Sequence, residues 1–396
     1  MTTRWNLPLD TITRSISRLR PDELNPLDAF ACAAWSFIAE PGDRIAGELI
    51  GALGESAALD LVVDRASARH LSAITHDAIT VSEAHEATQR WEGRLDSVAL
   101  MRSLDRAADN AVRIVIPTDS YWPVGVNDLG PHRPRALWVR GDVSALPQPH
   151  RSVAIVGARA STGYGEHVAM DFSAGIAQRG FTVVSGGAYG IDGMAHRAAI
   201  AVAGTTVAVL AGGVDQLYPS GHDELLRTVM GFGAVISEVP CGGAPTRWRF
   251  LQRNRIIAAL AGATVVIEAG HRSGSLNTAT HARDLGRPVG VVPGQITSAA
   301  SAGCHRLLRT NTAAVAVTNV PEILELITGE SENMVFSERD SAETIRVLDA
   351  LTRRSYRTVG DIALRTGLAV VQITSTLGQL SLDARVESLD AGWRKT

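Results

Sequence analysis

The central part of the chain alternates short, almost continuous apolar runs with longer stretches of helical periodicity. Six such runs occur: VAIVG (153–157), FTVVS (181–185), TTVAVLAGG (205–213), GAVISE (233–238), ATVVIEAG (263–270) and PVGVVPG (288–294). Strands that are apolar on both sides are typical of a parallel sheet covered by helices on both faces. The pattern therefore predicts an α/β fold with an extended Rossmann-like, doubly wound parallel sheet.

The regions before and after these runs differ in the spacing of their apolar residues and in their polarity. Residues 1–110 carry apolar positions at helical spacing, broken by Pro and Gly, and predict a small helical N-terminal domain. Residues 111–328 form the predicted Rossmann-like core, which opens with β-branched and aromatic residues typical of extended chain. The polar stretch 329–340 indicates a linker, and 341–396 predicts a winged-helix domain of three helices and a short strand.

Composition narrows the functional classes. The 396 residues are 45% hydrophobic and 20% charged with a formal net charge of -3, which is ordinary for a globular protein. The three cysteines form no CxxC motif and the eleven histidines form no HExxH motif, so we expect no disulfide framework, metal or cofactor. Neither a signal peptide nor an apolar run of roughly 18 residues is found, so we expect a cytoplasmic protein without membrane contact.

Four loops that follow predicted strands are rich in glycine and hydroxyl side chains. They are GARASTGYG (157–165), SGGAYGIDG (185–193), AGGVDQLYPSG (211–221) and AGHRSGSLNTA (269–279). In a doubly wound sheet, ligands bind where such loops lead into helix N-termini, whose free N–H groups attract anions. Tight packing of a strand against a helix is the structural alternative for each single loop. The predicted phosphate-binding rim includes Gly157, Arg159, Ser161, Gly186, Gly187, Ser273, Gly274 and Ser275.

The segment RWRFLQRNR (247–255) concentrates positive charge beside aromatic rings. Residues 247–287 contain seven arginines but only two acidic residues, in a chain that is acidic overall. Guanidinium groups bind phosphates and aromatic rings stack on unpaired bases, so the combination fits single-stranded nucleic acid. These residues alone leave an alternative open, a helix start in which Trp248 and Phe250 are buried in the core.

Several ordered motifs together resemble those of the DprA/Smf family of bacterial DNA-processing proteins. They are GARASTGYG, VVSGGAYGIDGMAH, TVAVLAGGVDQLYP, AVISEVP, RFLQRNRIIAAL, VVIEAGHRSGSLNTATHARDLGRPVGVVPG and SAGCHRLLRTNTA, and they span roughly 111–312. The resemblance implies a protein that binds and protects single-stranded DNA and loads the RecA recombinase in natural transformation and DNA recombination. It also implies a homodimer and no established catalytic reaction.

The resemblance assigns DNA-contacting positions as well. The family's G-[ST]-R turn corresponds to Gly157, Ala158 and Arg159. The implied contacts of its F-P-x-R-N-R motif, with a basic position before it, are Arg247, Phe250, Arg253, Asn254 and Arg255. Ala158 replaces the usual Ser or Thr, Leu251 replaces proline, and Tyr189 stands where arginine is usual. We expect these departures to alter the affinity for DNA rather than the fold.

Two other functions remain open at this point. A LOG-like nucleotide phosphoribohydrolase has the same type of sheet, but its PGGxGTxxE signature is incomplete in AGGVDQLYP, and Glu268 has no evident catalytic partner. A nucleotide sensor would bind a small signal in the rim and relay it through the C-terminal domain. The predicted third helix of that domain, AVVQITSTLGQLSL, contains no Arg or Lys, so we expect it to contact protein rather than duplex DNA.

Overall fold

Nine strands form one mixed sheet in the computed structural model, which describes residues 2–3, 7–21, 25–329, 340–389 and 392–396. The strands in the described residues are β1 (Thr2–Thr3), β2 (Leu7–Pro8), β3 (Arg113–Val115), β4 (Leu137–Gly141), β5 (Ser152–Val156), β6 (Thr182–Ser185), β7 (Thr206–Val209), β8 (Gly233–Ser237), β9 (Ala263–Val266), β10 (Val289–Val291), β11 (Ala314–Ala316), β12 (Arg357–Thr358), β13 (Val386–Leu389) and β14 (Gly392–Lys395). The large sheet has the order β11-β10-β9-β5-β6-β7-β8-β4-β3. Neighbours from β11 to β8 are parallel, and β4 and β3 join antiparallel.

Helices surround this sheet and precede it. In the described residues they are α1 (Leu9–Leu19), α2 (Pro26–Ile38), α3 (Arg44–Leu53), α4 (Glu55–Val63), α5 (Ala68–Ile74), α6 (Val81–Glu92), α7 (Ser97–Asp109), α8 (Gly163–Gln178), α9 (Ile191–Ala201), α10 (Asp223–Phe232), α11 (Arg247–Leu260), α12 (Ser275–Asp284), α13 (Ala302–Thr310), α14 (Val320–Thr328), α15 (Ala342–Ala350), α16 (Val359–Thr366) and α17 (Val370–Leu382). Among the described helices, none is both long and apolar enough to span a bilayer.

All six apolar runs form strands, β5 to β10, so the predicted doubly wound α/β sheet is confirmed. Alternate residues of β5 show why these runs are apolar throughout. Val153 and Ile155 pack into the core beneath α8 and α9, whereas Ala154 and Val156 pack into the core beneath α11 and α12. Both faces of the strand are therefore covered, as a parallel sheet requires.

The strand order reverses direction between β5 and β9. Strands β6, β7 and β8 follow β5 on one side, and the chain then returns to add β9, β10 and β11 on the other side. The loops after β5 and β9 therefore diverge and leave a crevice at the carboxyl edge of the sheet. Ligands of doubly wound proteins bind in such a crevice.

The Cα positions divide the chain into two compact units, Met1–Glu330 and Ser331–Thr396. Within the first unit, Trp35 and Trp91 of the N-terminal helices share one apolar core with Trp138 of β4 and Val235 of β8. The boundary predicted at residue 110 stays a prediction, and all but two residues of the predicted linker lie outside the described ranges.

The second unit has its own small core and its own sheet. Its order of elements is α15, β12, α16, α17, β13 and β14, and the sheet order is β12-β14-β13 with antiparallel neighbours. Val347, Ile362, Ile373 and Leu377 are fully buried between its helices and sheet. Three helices are present as predicted, and the assignment as a winged helix stays a prediction.

Candidate nucleic-acid interface

A cleft of about 920 Å³ lies at the crevice between β5 and β9. Its walls are the loop after β5, the loop after β9, Ala188 after β6 and the first turns of α11. Of the predicted site residues, those that line it are Gly157, Arg159, Arg247, Phe250, Arg253, Asn254, Ser273, Gly274 and Ser275. With Ala188, Asp192 and Tyr218, the lining draws on all four glycine-rich loops and on the arginine-rich segment.

Helix α11 begins inside the cleft because Thr246 caps it. The Thr246 hydroxyl accepts a hydrogen bond from the Arg249 N–H at 3.2 Å. Such a cap satisfies one of the free donors at a helix start. The first turn therefore stays regular at the cleft wall, and the four arginines of the segment point in different directions from it.

Three arginines surround the cleft with exposed side chains. Arg159 follows β5, Arg247 opens α11, and Arg272 lies in the loop after β9. Within the described part of the chain, none of the three forms an ion pair with a carboxylate. Charges of one sign that converge on a concave surface raise the local concentration of anions.

A fourth arginine, Arg253, forms the floor of the cleft. Only 7% of this residue is exposed, one terminal nitrogen donates to the carbonyl of Val209 at 2.9 Å, and Nε has no hydrogen-bond partner among the described residues. Burial lowers its pKa to about 10, so the guanidinium stays protonated at neutral pH. A buried cation with a free donor is costly without a ligand. The floor of the cleft therefore favours an anion.

Asp192 at the start of α9 is the acidic residue that lines the cleft. Its carboxylate accepts backbone N–H groups of Gly186 at 3.2 Å and of Ala188 at 3.4 Å. Burial raises its pKa, while the charge of Arg253 and these hydrogen bonds act in the opposite direction. Asp192 thus holds the glycine turn 186–188 through hydrogen bonds to its backbone. The cleft lining contains four arginines and this one acidic residue, so its charge is positive overall.

Two aromatic rings meet beside these arginines. The rings of Phe250 and Tyr218 pack edge to face with centroids 5.7 Å apart, and the guanidinium of Arg159 lies 5.1 Å from the Phe250 centroid. Tyr218 is 47% exposed and lines the cleft. The sequence interpretation missed Tyr218, although the LYP tripeptide stands inside one of the four loops it singled out. Phe250 and Tyr218 together offer apolar faces on which a base can stack.

Two arginines of the segment 247–255, Arg249 and Arg255, do not line this cleft. Arg249 binds both carboxylate oxygens of Glu40, at 3.0 and 2.8 Å, and so joins α11 to the N-terminal helices. Arg255 is almost fully buried and pairs with Glu238, just after β8. Arg255 does not line the cleft and already has a carboxylate partner, so its predicted contact with phosphate stays a prediction.

The loop after β9 is held by polar contacts rather than by an acidic residue. Asn254 donates to the carbonyl of Gly274 at 3.3 Å and to the side-chain oxygen of Asn277 at 3.1 Å. The hydroxyls of Ser273 and Ser275 lie 2.7 Å apart. Helix α12 has no side-chain cap and no acidic residue in its first turn. The N–H groups of Leu276 and Asn277 donate to the carbonyls of Ser273 at 3.2 Å and of Gly274 at 3.1 Å, so local hydrogen bonds hold the first turn of α12 at the cleft.

Three predicted rim residues lie outside the cleft lining. The Ser161 hydroxyl donates to Glu166 at 2.9 Å, the Gly187 carbonyl contacts Nδ1 of His222 at 3.0 Å, and Gly186 supports Arg253 from below. These three residues position the loops, and their predicted contact with DNA stays a prediction.

Comparisons with known proteins, by family model and by sequence, indicate the same family. A family model described as DNA recombination-mediator protein A matches residues 113–328. The putative DNA processing protein DprA of Mycobacterium tuberculosis is 44% identical over 318 residues, which cover 74% of this chain and 81% of that protein. The chain belongs to the DprA/Smf family.

Two further likenesses agree with this DprA/Smf membership. Protein Smf of Escherichia coli is 36% identical over 290 residues, which cover 70% of this chain and 76% of that protein. The X-ray structure of DNA processing protein A from Streptococcus pneumoniae superposes with a TM-score of 0.59 at 28% identity, and the match covers 75% of this chain and 96% of that one. The predicted family and its Rossmann-like core are thereby confirmed.

Two residues in the glycine-rich loops, Tyr189 and Asn277, have identifiable contacts in this structure. Tyr189, which stands where arginine is usual, accepts a hydrogen bond from the Gly221 N–H at 3.2 Å and packs edge-on against His222. Asn277 supplies the oxygen that orients Asn254. Tyr189 and Asn277 therefore contribute local packing and hydrogen bonds to the loops at the carboxyl edge of the sheet.

Glu268 lies two residues after the end of β9, is buried, and has a structural partner. Its carboxylate accepts the Thr162 N–H at 2.9 Å and the Thr162 hydroxyl at 2.6 Å, which ties the loop after β5 to the segment that follows β9. A Cβ atom on Gly165 would lie 2.3 Å from this carboxylate, so the helix can approach only with glycine there. Glu268 thus works as a backbone partner, the structural alternative to a catalytic role.

Proposed function

We propose that this DprA/Smf protein binds single-stranded DNA in the cleft between β5 and β9. Arg159, Arg247 and Arg272 hold backbone phosphates along its walls, and Arg253 binds a phosphate at its floor. Phe250 and Tyr218 stack on bases, each stacked base contributing about 1–3 kcal/mol. The name of the Mycobacterium tuberculosis relative refers to DNA processing and the description of the matching family to mediating DNA recombination, and both support a nucleic acid as the ligand.

The observation that carries this proposal is the combination at Arg253. Its side chain is buried, charged and incompletely hydrogen-bonded, while three exposed arginines without carboxylate partners surround the opening. A single strand can lower one phosphate to the floor and turn unpaired bases toward the rings. A duplex keeps its bases stacked and its backbone on a wide cylinder, so we expect it to contact only the outer arginines.

The test is fluorescence anisotropy with oligo-dT and with the matched duplex at several salt concentrations. Each neutralised phosphate steepens the plot of log K against log salt by about 0.7 on single strands. We expect Arg159→Gln and Arg247→Gln each to flatten the slope by about that amount. Arg113→Gln, an exposed site on the edge strand β3, is the matched control. Unchanged slopes in both cleft variants would overturn the proposal.

We propose further that the protein forms a homodimer in the cytoplasm and transfers its strand to a RecA-type recombinase. The description of the matching family as a recombination mediator supports a step before strand exchange. The test is the rate at which RecA assembles on single-stranded DNA coated with single-strand-binding protein, with and without this chain. No acceleration by a DNA-binding sample would reject the loading role.

The second unit is proposed to contact protein. Helix α17 contains no Arg or Lys, and Val370 and Val371 at its start are 55% and 80% exposed. A helix that reads a groove brings cationic groups to the phosphates beside it. Absence of duplex binding by the fragment 340–396, checked for its helix content by circular dichroism, is the expected result. Tight duplex binding would replace this proposal with a direct DNA role.

A further inference from the structure

A second cleft, of about 440 Å³, lies on the other side of the start of α11. It is formed by the end of α2, the residues between α6 and α7, the first turns of α7, and the turn 239–243 that follows β8. Ser103 of α7 donates to the carbonyl of Cys241 at 2.7 Å, so the helical wall and the turn are tied together. No predicted site residue lies on the walls of this cleft.

The two clefts share the segment that leads into α11. Pro245, Thr246 and Arg247 line the first cleft, whereas Gly242, Gly243 and Arg249 line the second. Successive helical residues are about 100° apart around the axis, which directs Arg247 and Arg249 to opposite sides.

The Trp248 side chain projects from α11 between the directions of Arg247 and Arg249. It lines neither cleft and is 55% exposed. An aromatic face therefore lies on the ridge that separates the two clefts, where it is open to solvent.

The walls of the second cleft are mainly cationic. Its charged lining residues are Arg94, Arg102, Arg106, Arg249 and Asp96. Glu40 is the partner of both Arg94 and Arg249, so one carboxylate compensates two arginines. Asp96 accepts the Ala99 N–H at 2.9 Å and caps α7.

The two remaining arginines differ in how they are compensated. Arg106 has a long contact of 3.5 Å with Asp215. Arg102 is exposed and forms no ion pair in the part of the chain that the structure describes. A cation on the wall of a concave cleft thus lacks a partner, and a single anionic group would supply one.

We propose that the second cleft continues the path of the single strand. This inference rests on the function proposed above. The strand leaves the first cleft past Arg247, stacks one base on Trp248 and places the next backbone phosphate at Arg102. The ligand is a phosphodiester of the same polynucleotide, because the two clefts are joined by exposed residues and the ridge carries a ring that fits an unpaired base.

The experiment is an oligo-dT ladder of increasing length, titrated against wild type and Arg102→Gln at several salt concentrations. Short oligomers that fill only the first cleft should bind both proteins equally. Above a threshold length, the variant should bind more weakly and show a salt slope flatter by about 0.7. Arg69→Gln on α5, also exposed and also removing one positive charge, is the matched control and should leave the slope unchanged at every length.

Two additional variants separate this path from a general effect of charge. Arg102→Lys should restore the slope, and Trp248→Leu should weaken binding above the same threshold without changing the slope. Equal losses at all lengths, or none at any length, would overturn the second cleft as a binding site. Failure of wild type to bind any oligomer would instead reject the function proposed for the first cleft.

Discussion

The guanidinium of Arg253 lies directly on the backbone of Gly186, with no room for a side chain between them. A Cβ atom on Gly186 would stand 1.7 Å from a terminal nitrogen of Arg253. The end of the arginine is the part that can move, so Gly186→Ala should displace the guanidinium while the sheet keeps its fold. We expect weaker binding of single-stranded DNA, as measured by anisotropy, with little change in the urea midpoint.

Gly231→Ala is a matched control for this variant. Nothing lies within 4 Å of a Cβ atom placed on Gly231, which belongs to α10. Its DNA affinity should equal that of wild type. If Gly186→Ala bound oligo-dT as tightly as wild type, the guanidinium of Arg253 would not be the phosphate ligand at the floor.

Breaking the buried ion pair between Arg255 and Glu238 should lower the stability of the fold rather than the affinity for DNA. Removing one member leaves the other charge buried without a partner, which costs about 3–5 kcal/mol. We therefore expect Glu238→Ala to lower the free energy of unfolding by that order, whereas Arg247→Gln on the exposed rim should change it little. Urea denaturation followed by circular dichroism measures both.

A double replacement checks the cause of this effect. Arg255→Leu combined with Glu238→Leu removes both charges and should recover a large part of the stability lost in Glu238→Ala. A double variant as unstable as the single one would indicate that packing at the site, and not the unpaired guanidinium, dominates.

The strands could be predicted because their apolar runs are local properties of the chain. Residues 153–156 are buried alternately on the two faces of the sheet. Because both faces are buried, every position of the strand is apolar, and the sequence shows this as an uninterrupted apolar run. The short edge strand β11 was not predicted, although it lies within the apolar run AAVAV (313–317), and two of its three residues are exposed.

The directions of the arginines could not be predicted in the same way. Arg249 and Arg255 look equivalent to Arg247 in the sequence, yet their partners, Glu40 and Glu238, come from other elements of the fold. The count of positive charge between residues 247 and 287 therefore overstated the cationic surface. Arg287 also points inward, to the carbonyls that end α11 and to Asp128.

Glu268 and Thr162 form a contact whose removal distinguishes DNA binding from hydrolysis of nucleotides. If the carboxylate only holds the loop after β5, Glu268→Gln and Thr162→Val should each weaken binding of single-stranded DNA. The double variant should then be no weaker than the worse single variant, because the two residues share one interaction. Anisotropy on the four proteins measures the coupling.

The hydrolase hypothesis predicts a different result for the same variants. Wild type would release free base from nucleoside monophosphates, and Glu268→Gln would abolish this release without altering DNA binding. Chromatography of the reaction mixture detects the base. Such an outcome would reject the role of Glu268 as a purely structural partner of Thr162.

His196 of α9 makes stability depend on pH. It is fully buried, Nδ1 lies 2.8 Å from the Thr206 hydroxyl, and Nε2 has no partner among the described residues. Burial lowers its pKa from 6.5 to about 3. Between these two values the unfolded chain binds a proton that the folded chain does not. Stability should therefore be complete above about pH 6.5 and fall as the pH decreases, by up to about 1.4 kcal/mol per pH unit.

The variant His196→Gln isolates this contribution, because glutamine does not titrate. Urea midpoints between pH 5 and 7.5 should decline for wild type toward low pH, and should decline less for the variant. Asp192 has a raised pKa and acts with the opposite sign, but it is present in both proteins and cancels in the difference. Parallel pH profiles for the two proteins would show that His196 gains its proton in the folded state as easily as in the unfolded chain.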